Sequence, residues 1–183
     1  MARAGQEFAN AGAGERWIFR TTSEETGGQL LRVDVYLAPG GGPPFAHAHP
    51  GYQERFVIAA GRFRFKIDGQ GREVRDGDEI VAEAGQSHTF RNIGEEEGRV
   101  TIEFRPGRGM EDLLESGFNL ARDGKLRRGL PSPLQFAVMA DEFRDEIGLP
   151  GLLKPALAIL APVGRRLGYR PRYGLPDVPT ARS

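Results

Sequence analysis

Residues 41–61 read GGPPFAHAHPGYQERFVIAAG, and this stretch decides the fold. His47 and His49 stand two apart, Glu54 follows after four intervening residues, and Gly41 and Gly61 bound the stretch. On a strand, residues two apart share a face. His47 and His49 therefore project together, with Phe45 on the same side. Pro50-Gly51 is a turn signal that reverses the chain. Glu54 then returns towards the same interior, with Phe56 and Ile58 in phase. The sequence has only three histidines. The third, His88, lies in a second stretch, preceded by Gly77 and Gly85, followed by Asn92 and in phase with Phe90. Three imidazoles and one carboxylate suit Fe, Mn, Co, Ni, Cu or Zn. One divalent metal ion per chain, held by His47, His49, Glu54 and His88, is the expected cofactor. An octahedral ion with these four ligands keeps two positions open for substrate, water or dioxygen.

Outward from this stretch, strand follows strand from about Glu15 to Arg105. Leu31, Val33, Val35 and Leu37 alternate with Arg32, Asp34 and Tyr36, the period-two mark of a half-buried strand. Phe63, Phe65 and Ile67 alternate with arginine and lysine, and Val100, Ile102 and Phe104 with Thr101 and Glu103. Glycine and Asp-Gly turns punctuate these runs, a spacing that predicts a sandwich or barrel. Gly40-Gly41-Gly42-Pro43-Pro44 reads as the turn that sets the first histidine pair, with a flexible lid as the other reading. No helix start or lysine follows it, so it is not a phosphate loop. Glu95-Glu96-Glu97 reads as a solvated turn.

After Pro106 the period changes. Met110, Leu113, Leu114, Phe118 and Ala121 follow helical spacing, with Glu111 and Asp112 in the first turn, where the helix dipole favours them. Ser132 and Gln135 have capping-box spacing, with Pro133 at the first helical position. The stripe Phe136, Met139, Ala140, Phe143 and Ile147 follows and ends at Gly148 and Pro150. A third helical stretch, about Gly151 to Leu167, is expected to break or kink at Pro162. It reads as packing on the barrel or a partner subunit, with contact to a membrane surface as the alternative. Three parts are expected: a barrel over 1–106 with motifs at 41–61 and 77–92, a helical extension over 107–169, and a loosely held tail over 170–183.

Lysine plus arginine balance aspartate plus glutamate at 25 each. An even balance leaves no electrostatic footprint for nucleic acid. There is no cysteine, which removes disulfides, thiolate nucleophiles and thiolate-bound zinc and suits a reducing cytoplasm. Met1 to Gly14 lacks the apolar core of a signal peptide. The longest apolar run, Leu152 to Val163, is shorter than the roughly 20 residues of a membrane span. The expected setting is cytoplasmic.

The order G-x5-H-x-H-x4-E-x6-G, carried by Gly41, His47, His49, Glu54 and Gly61, resembles the first cupin motif at every position. Gly77, Gly85, His88 and Asn92 are similar to the second, with Glu83 where that family usually has proline. The segments Ala121-Arg122-Asp123-Gly124 and Gly129 to Gln135 resemble an extension found in many small bacterial cupins. The resemblance implies an all-β cupin jelly-roll β-barrel with a C-terminal α-helical extension. It also implies a metal site inside the barrel, in a superfamily spanning quercetin-type and acireductone dioxygenases, polyketide cyclases, isomerases, storage proteins and sugar-sensing regulators.

Fold alone does not choose among these. The expectation is a metal-dependent, dioxygenase-type oxidoreductase of quercetinase type. It would act on a small aromatic or enolisable molecule, with Glu54 as ligand and candidate base. The alternatives are a non-oxidative cyclase, isomerase or decarboxylase, and a non-catalytic binding module. Phe45, Phe56 and Phe90, in phase with the ligands, are the candidate pocket residues, with ordinary barrel core as the other reading. The expected partners are a small-molecule substrate and a second copy of the chain in a homodimer. Nucleic acid and an integral membrane segment are not expected.

Overall fold

The computed structural model describes residues 2–107, 109–127 and 129–175. Nine strands form among them: β1 (Glu7–Asn10), β2 (Glu15–Thr21), β3 (Leu31–Leu37), β4 (Gln53–Ala60), β5 (Arg62–Ile67), β6 (Gln70–Arg75), β7 (Glu79–Ala82), β8 (His88–Asn92) and β9 (Gly98–Arg105). Three helices follow: α1 (Met110–Arg122), α2 (Pro133–Glu142) and α3 (Lys154–Arg166). The strands form a six-stranded sheet, β1-β2-β3-β9-β4-β7, and a three-stranded sheet, β6-β5-β8. All pairings are antiparallel. This is the expected jelly-roll architecture with a helical C-terminal part.

The apolar alternation read from the sequence becomes the core. Val33 lies opposite Ile102 and Val35 opposite Val100 across β3 and β9. Phe56 lies opposite Ile102 on the other side of β9. Phe63 and Phe65 of the smaller sheet join the same cluster, and all of these side chains are fully or almost fully buried. Because side chains alternate between faces, this register also fixes where the polar residues of the same phase point. Glu54 shares the inward face of β4 with Phe56 and Ile58. His88 opens β8 opposite Ile67 of β5.

The outer phase is more buried than its polarity suggests. Asp34 accepts bonds from Arg20 Nε at 2.8 Å and Thr101 Oγ1 at 2.7 Å. Glu103 takes Arg32, Arg55 and Arg105. Cross-strand partners thus satisfy both carboxylates.

Several local expectations change in the structure; the helix after Ser132, for one, ends at Glu142 and not beyond Ile147. His47 to His49 is not a regular strand but a pair of isolated bridges, His47 to His88 and Ala48 to Gly148. Prolines at 43, 44 and 50 flank the segment, and proline cannot donate to a ladder. The third helix is not broken at Pro162 but continues through it. That proline is exposed, and a carbonyl left without its helical partner on the solvent side can take water.

Ser132 caps α2 by accepting from Gln135 N at 3.4 Å. The Gln135 side chain does not close the box but donates to Arg170 O at 2.8 Å. In the tail, Arg172 pairs with Asp112, and Tyr173 Oη donates to Asp123 at 2.9 Å. Residues 176–183 of the tail lie outside the described residues. No helix of the described residues is long and apolar enough to cross a membrane.

α1 packs on the barrel, and α2 and α3 pack on each other. Phe118 of α1 stacks on Phe8 of β1, ring centroids 4.8 Å apart, and meets Trp17 of β2 edge-on at 5.7 Å. α2 lies against α3 at a close crossing. A Cβ at Gly164 would sit 2.6 Å from Val138 Cγ2 and 3.0 Å from Leu134 O, so the approach requires glycine.

Candidate metal centre

Backbone pairing builds the site before any side chain is considered. His47 N donates to His88 O at 3.0 Å, and His88 N donates to His47 O at 2.7 Å. The two sequence motifs are thereby stitched together at their histidines. The glycine turn repeats the stitch further along. Gly40 N donates to Asn92 O, and Asn92 N to Gly41 O, both at 2.9 Å. Gly42 has φ of 150°, and a Cβ there would fall 2.1 Å from Phe90 O. Glycine is required for that close approach, and the stretch acts as the turn that sets the histidine pair. Asn92 holds this corner: its Nδ2 donates to Leu37 O and Glu96 O, and its Oδ1 accepts from Gly94 N. Glu83, the departure from the motif, is braced instead by its own N–H donating to Gln86 Oε1 at 2.9 Å.

The four candidate ligands converge. One ligand atom from each of His47, His49, Glu54 and His88 lies within 4.8 Å of all the others. Glu54 Oε2 is 3.0 Å from His49 Nε2 and 2.7 Å from His88 Nε2. Each imidazole presents its Nδ1 to a backbone carbonyl: His49 to Glu146 O at 2.6 Å, His88 to Gln86 O at 3.0 Å, and His47 to Phe45 O at 3.4 Å. A carbonyl only accepts, so Nδ1 carries the proton and the Nε2 lone pair turns inward. This is the orientation usual for metal-ligating histidine.

The arrangement is electrostatically incomplete by itself. His49 Nε2, His88 Nε2 and Glu54 Oε2 are buried and make no hydrogen bond to any other group among the described residues. With neutral rings, two lone pairs would face a carboxylate at contact distance. Only a cation between them, a proton or a metal ion, relieves that repulsion. Burial alone would push the Glu54 carboxyl up, but His49 and His88 outweigh it and hold the group at about 2. His88 is raised: burial acts to lower it, and the contact with Glu54 outweighs burial. His47 is pushed down to about 4, chiefly by burial and then by its two imidazole neighbours. The donor set therefore fits a divalent ion: a carboxylate ionised at neutral pH, and inward lone pairs already oriented by the backbone.

Above the cluster lies a cavity of about 370 Å3, with His47, His49 and Glu54 in its wall. Phe90 lines it. Phe45 instead lines an adjoining chamber and meets Phe136 edge-on at 5.9 Å. Phe56 is fully buried beneath the cluster, with ring centroids 5.7 Å from His88, 5.0 Å from Phe65 and 5.3 Å from Phe90, and does not line the cavity.

Phe104, one of the strand phenylalanines that could line a pocket, faces the cavity. Trp17, Met110, Leu113, Leu114 and Ile147 also face it and were not marked as pocket residues by the sequence. The phase of β2 carried the signal for Trp17, which lies opposite Val35. The segment after α2 also reaches the site directly. Gly148 pairs with Ala48 between the first two histidines, at 3.0 and 2.6 Å, while Glu146 O orients His49.

Residues 33–103 match the family described as "Cupin domain". No curated protein matches the sequence. Among solved structures, KdgF from a Halomonas species is 20% identical, with 57% of this chain and 91% of that one covered at a TM-score of 0.51. An RmlC-like cupin from Shewanella frigidimarina is 18% identical, with 57% and 86% covered at 0.49. A predicted oxalate decarboxylase from Thermotoga maritima is 22% identical, with 50% and 80% covered at 0.48. With the strand topology, the domain match and the likeness to KdgF establish a cupin fold and support the cupin superfamily for the barrel.

Glu54→Gln keeps the size of the side chain but removes its charge. Calorimetric titration with Zn2+ or Mn2+ is expected to show one ion per wild-type chain and at least about a tenfold loss of affinity in the variant. Saturating metal should raise the melting temperature of the wild type, and chelation should reverse the rise. Equal affinity in both proteins would remove Glu54 from the ligand set.

Proposed function

We propose that the protein is a metal-dependent cupin enzyme, of dioxygenase type, acting on a small aromatic or enolisable molecule. The observation that supports this reading best is the position of the His47, His49, Glu54 and His88 cluster. Three of its members, His47, His49 and Glu54, lie in the wall of a cavity large enough for a small organic ligand and otherwise largely apolar, with His88 buried behind them.

His47, His49, His88 and Glu54 would hold one divalent ion. Such an ion supplies Lewis acidity and a template, lowering the pKa of an enol or hydroxyl on the substrate. Glu54 is kept ionised by its imidazole neighbours, the state that both a ligand and a proton acceptor need. Bound to an ion, its carboxylate would be a weak base, so it would suit a substrate proton that is already acidified. Phe90, Phe104 and Leu114 exclude water from the approach and offer flat apolar surface to a ring. The proposal includes a cytoplasmic setting and a homodimer, with β1 as the free edge of the large sheet near the N-terminus. Light scattering at high micromolar concentration should give twice the chain mass; a monomer there would reject the dimer.

The test of the reaction is a screen of enolisable and polyphenolic compounds in an oxygen electrode with metal-loaded protein. The proposal expects oxygen consumption coupled to substrate loss, and its fall by at least about a hundredfold in His88→Ala, which loses one of four ligands. Turnover that proceeds equally without oxygen would establish the non-oxidative reading instead. Saturable binding with no product would mark a binding module.

A further inference from the structure

A second cavity, of about 260 Å3, lies between α1, α2 and the barrel. Its wall is almost entirely apolar, with Leu113 and Gly117 from α1, Phe136 and Met139 from α2, and Trp17 from β2. Among the described residues the polar groups in the lining are Asn10, Glu15 and the indole N–H of Trp17. Asn10 Nδ2 donates to Glu15 Oε1 at 3.0 Å, so that carboxylate is hydrogen-bonded but keeps its charge, and Trp17 Nε1 is buried without a hydrogen-bond partner. The chamber adjoins the cavity above the metal cluster, because Trp17, Leu113, Leu114 and Ile147 line both.

The pocket is partly open at the surface, and concave, mostly apolar pockets of this kind are where small molecules bind. An apolar cavity of about 150 Å3 is already enough to take a benzene ring. Here the space is opened by a residue choice. Gly117 lies inside α1, where glycine weakens a helix relative to alanine, and a Cβ at this position would meet nothing within 4 Å. A methyl group at 117 would therefore enter open space.

We infer that this chamber binds the apolar portion of the substrate, so that the substrate class is amphiphilic: an oxygen-bearing head at the metal cluster joined to a hydrocarbon chain or aryl ring beneath α2. The head's placement rests on the proposed metal centre; the chamber's occupancy does not. The helical extension is on this account half of the substrate site, since Leu113 and Gly117 come from α1 and Phe136 and Met139 from α2.

Trp17 is the chain's single tryptophan and lines both cavities, so its emission reports on their contents. The test uses two arms on the full chain. In the first, Zn2+-loaded protein is titrated with acetohydroxamate and with octanohydroxamate, which share a metal-binding head and differ in the tail. The octyl compound is expected to bind at least about tenfold tighter, and Gly117→Leu, which fills the chamber, should bring the two affinities together. In the second arm, metal-free protein is titrated with 1-octanol, which should change Trp17 emission saturably in the wild type and not in Gly117→Leu. Ala140→Leu, filling the chamber from α2, serves if circular dichroism shows that the first variant does not fold. Equal affinities for the two hydroxamates in the wild type, or an octanol response unaltered by filling the chamber, would overturn the inference. Octanol binding without any hydroxamate binding would leave the chamber standing and reject the metal centre instead.

Discussion

Three imidazole nitrogens and a carboxylate, gathered out of water, need a cation among them, and much of the molecule serves to hold them in that position. Isolated buried polar groups are costly. Here the cost is concentrated at one point, where Glu54 Oε2 faces His49 and His88 with no other partner. The surrounding backbone makes the arrangement rigid. Mutual hydrogen bonds join His47 to His88, and the three Nδ1 atoms are committed to carbonyls. A site so oriented has little freedom to relax by turning its rings away.

The barrel and the helices divide the work. The antiparallel register of β4, β9 and β3 places Glu54 among inward-facing apolar residues. The seam between the glycine turn and β8 brings the two motifs together. The helical extension then does two things that a simple cover would not. Its α1 supplies cavity wall, and the segment following α2 pairs with the ligand-bearing chain at Ala48 and fixes the His49 ring through Glu146 O. Displacement of that segment would therefore reach the ligands directly through the backbone.

Much of this was legible in the sequence because strand geometry has a strict period. The alternation at Leu31 to Leu37 and Val100 to Phe104 marked the core faces. The spacing of His47, His49 and Glu54, with His88 in phase with Phe90, marked a set of side chains able to converge. The helix starting after Ser132 announced itself through a capping residue and Pro133. What was not legible depends on partners distant in the chain. Glu146 contributes a carbonyl, which no residue type advertises. Asp34 and Glu103 look like surface residues until Arg20, Thr101 and Arg32 arrive from neighbouring strands. Phe45, Phe56 and Phe90 share a phase, yet depth along the barrel separates them: one in the apolar chamber, one beneath the cluster, one in the cavity wall.

The central claim is that the cluster is a metal centre, and X-ray absorption at the zinc edge of stoichiometrically loaded protein tests it most directly. The account predicts a first shell of nitrogen and oxygen at about 2.0–2.2 Å, with the outer-shell scattering of three imidazole rings. Loss of one ring's contribution in His88→Ala would assign that ring. A shell made only of water and carboxylate oxygen, with no imidazole signature, would contradict the account.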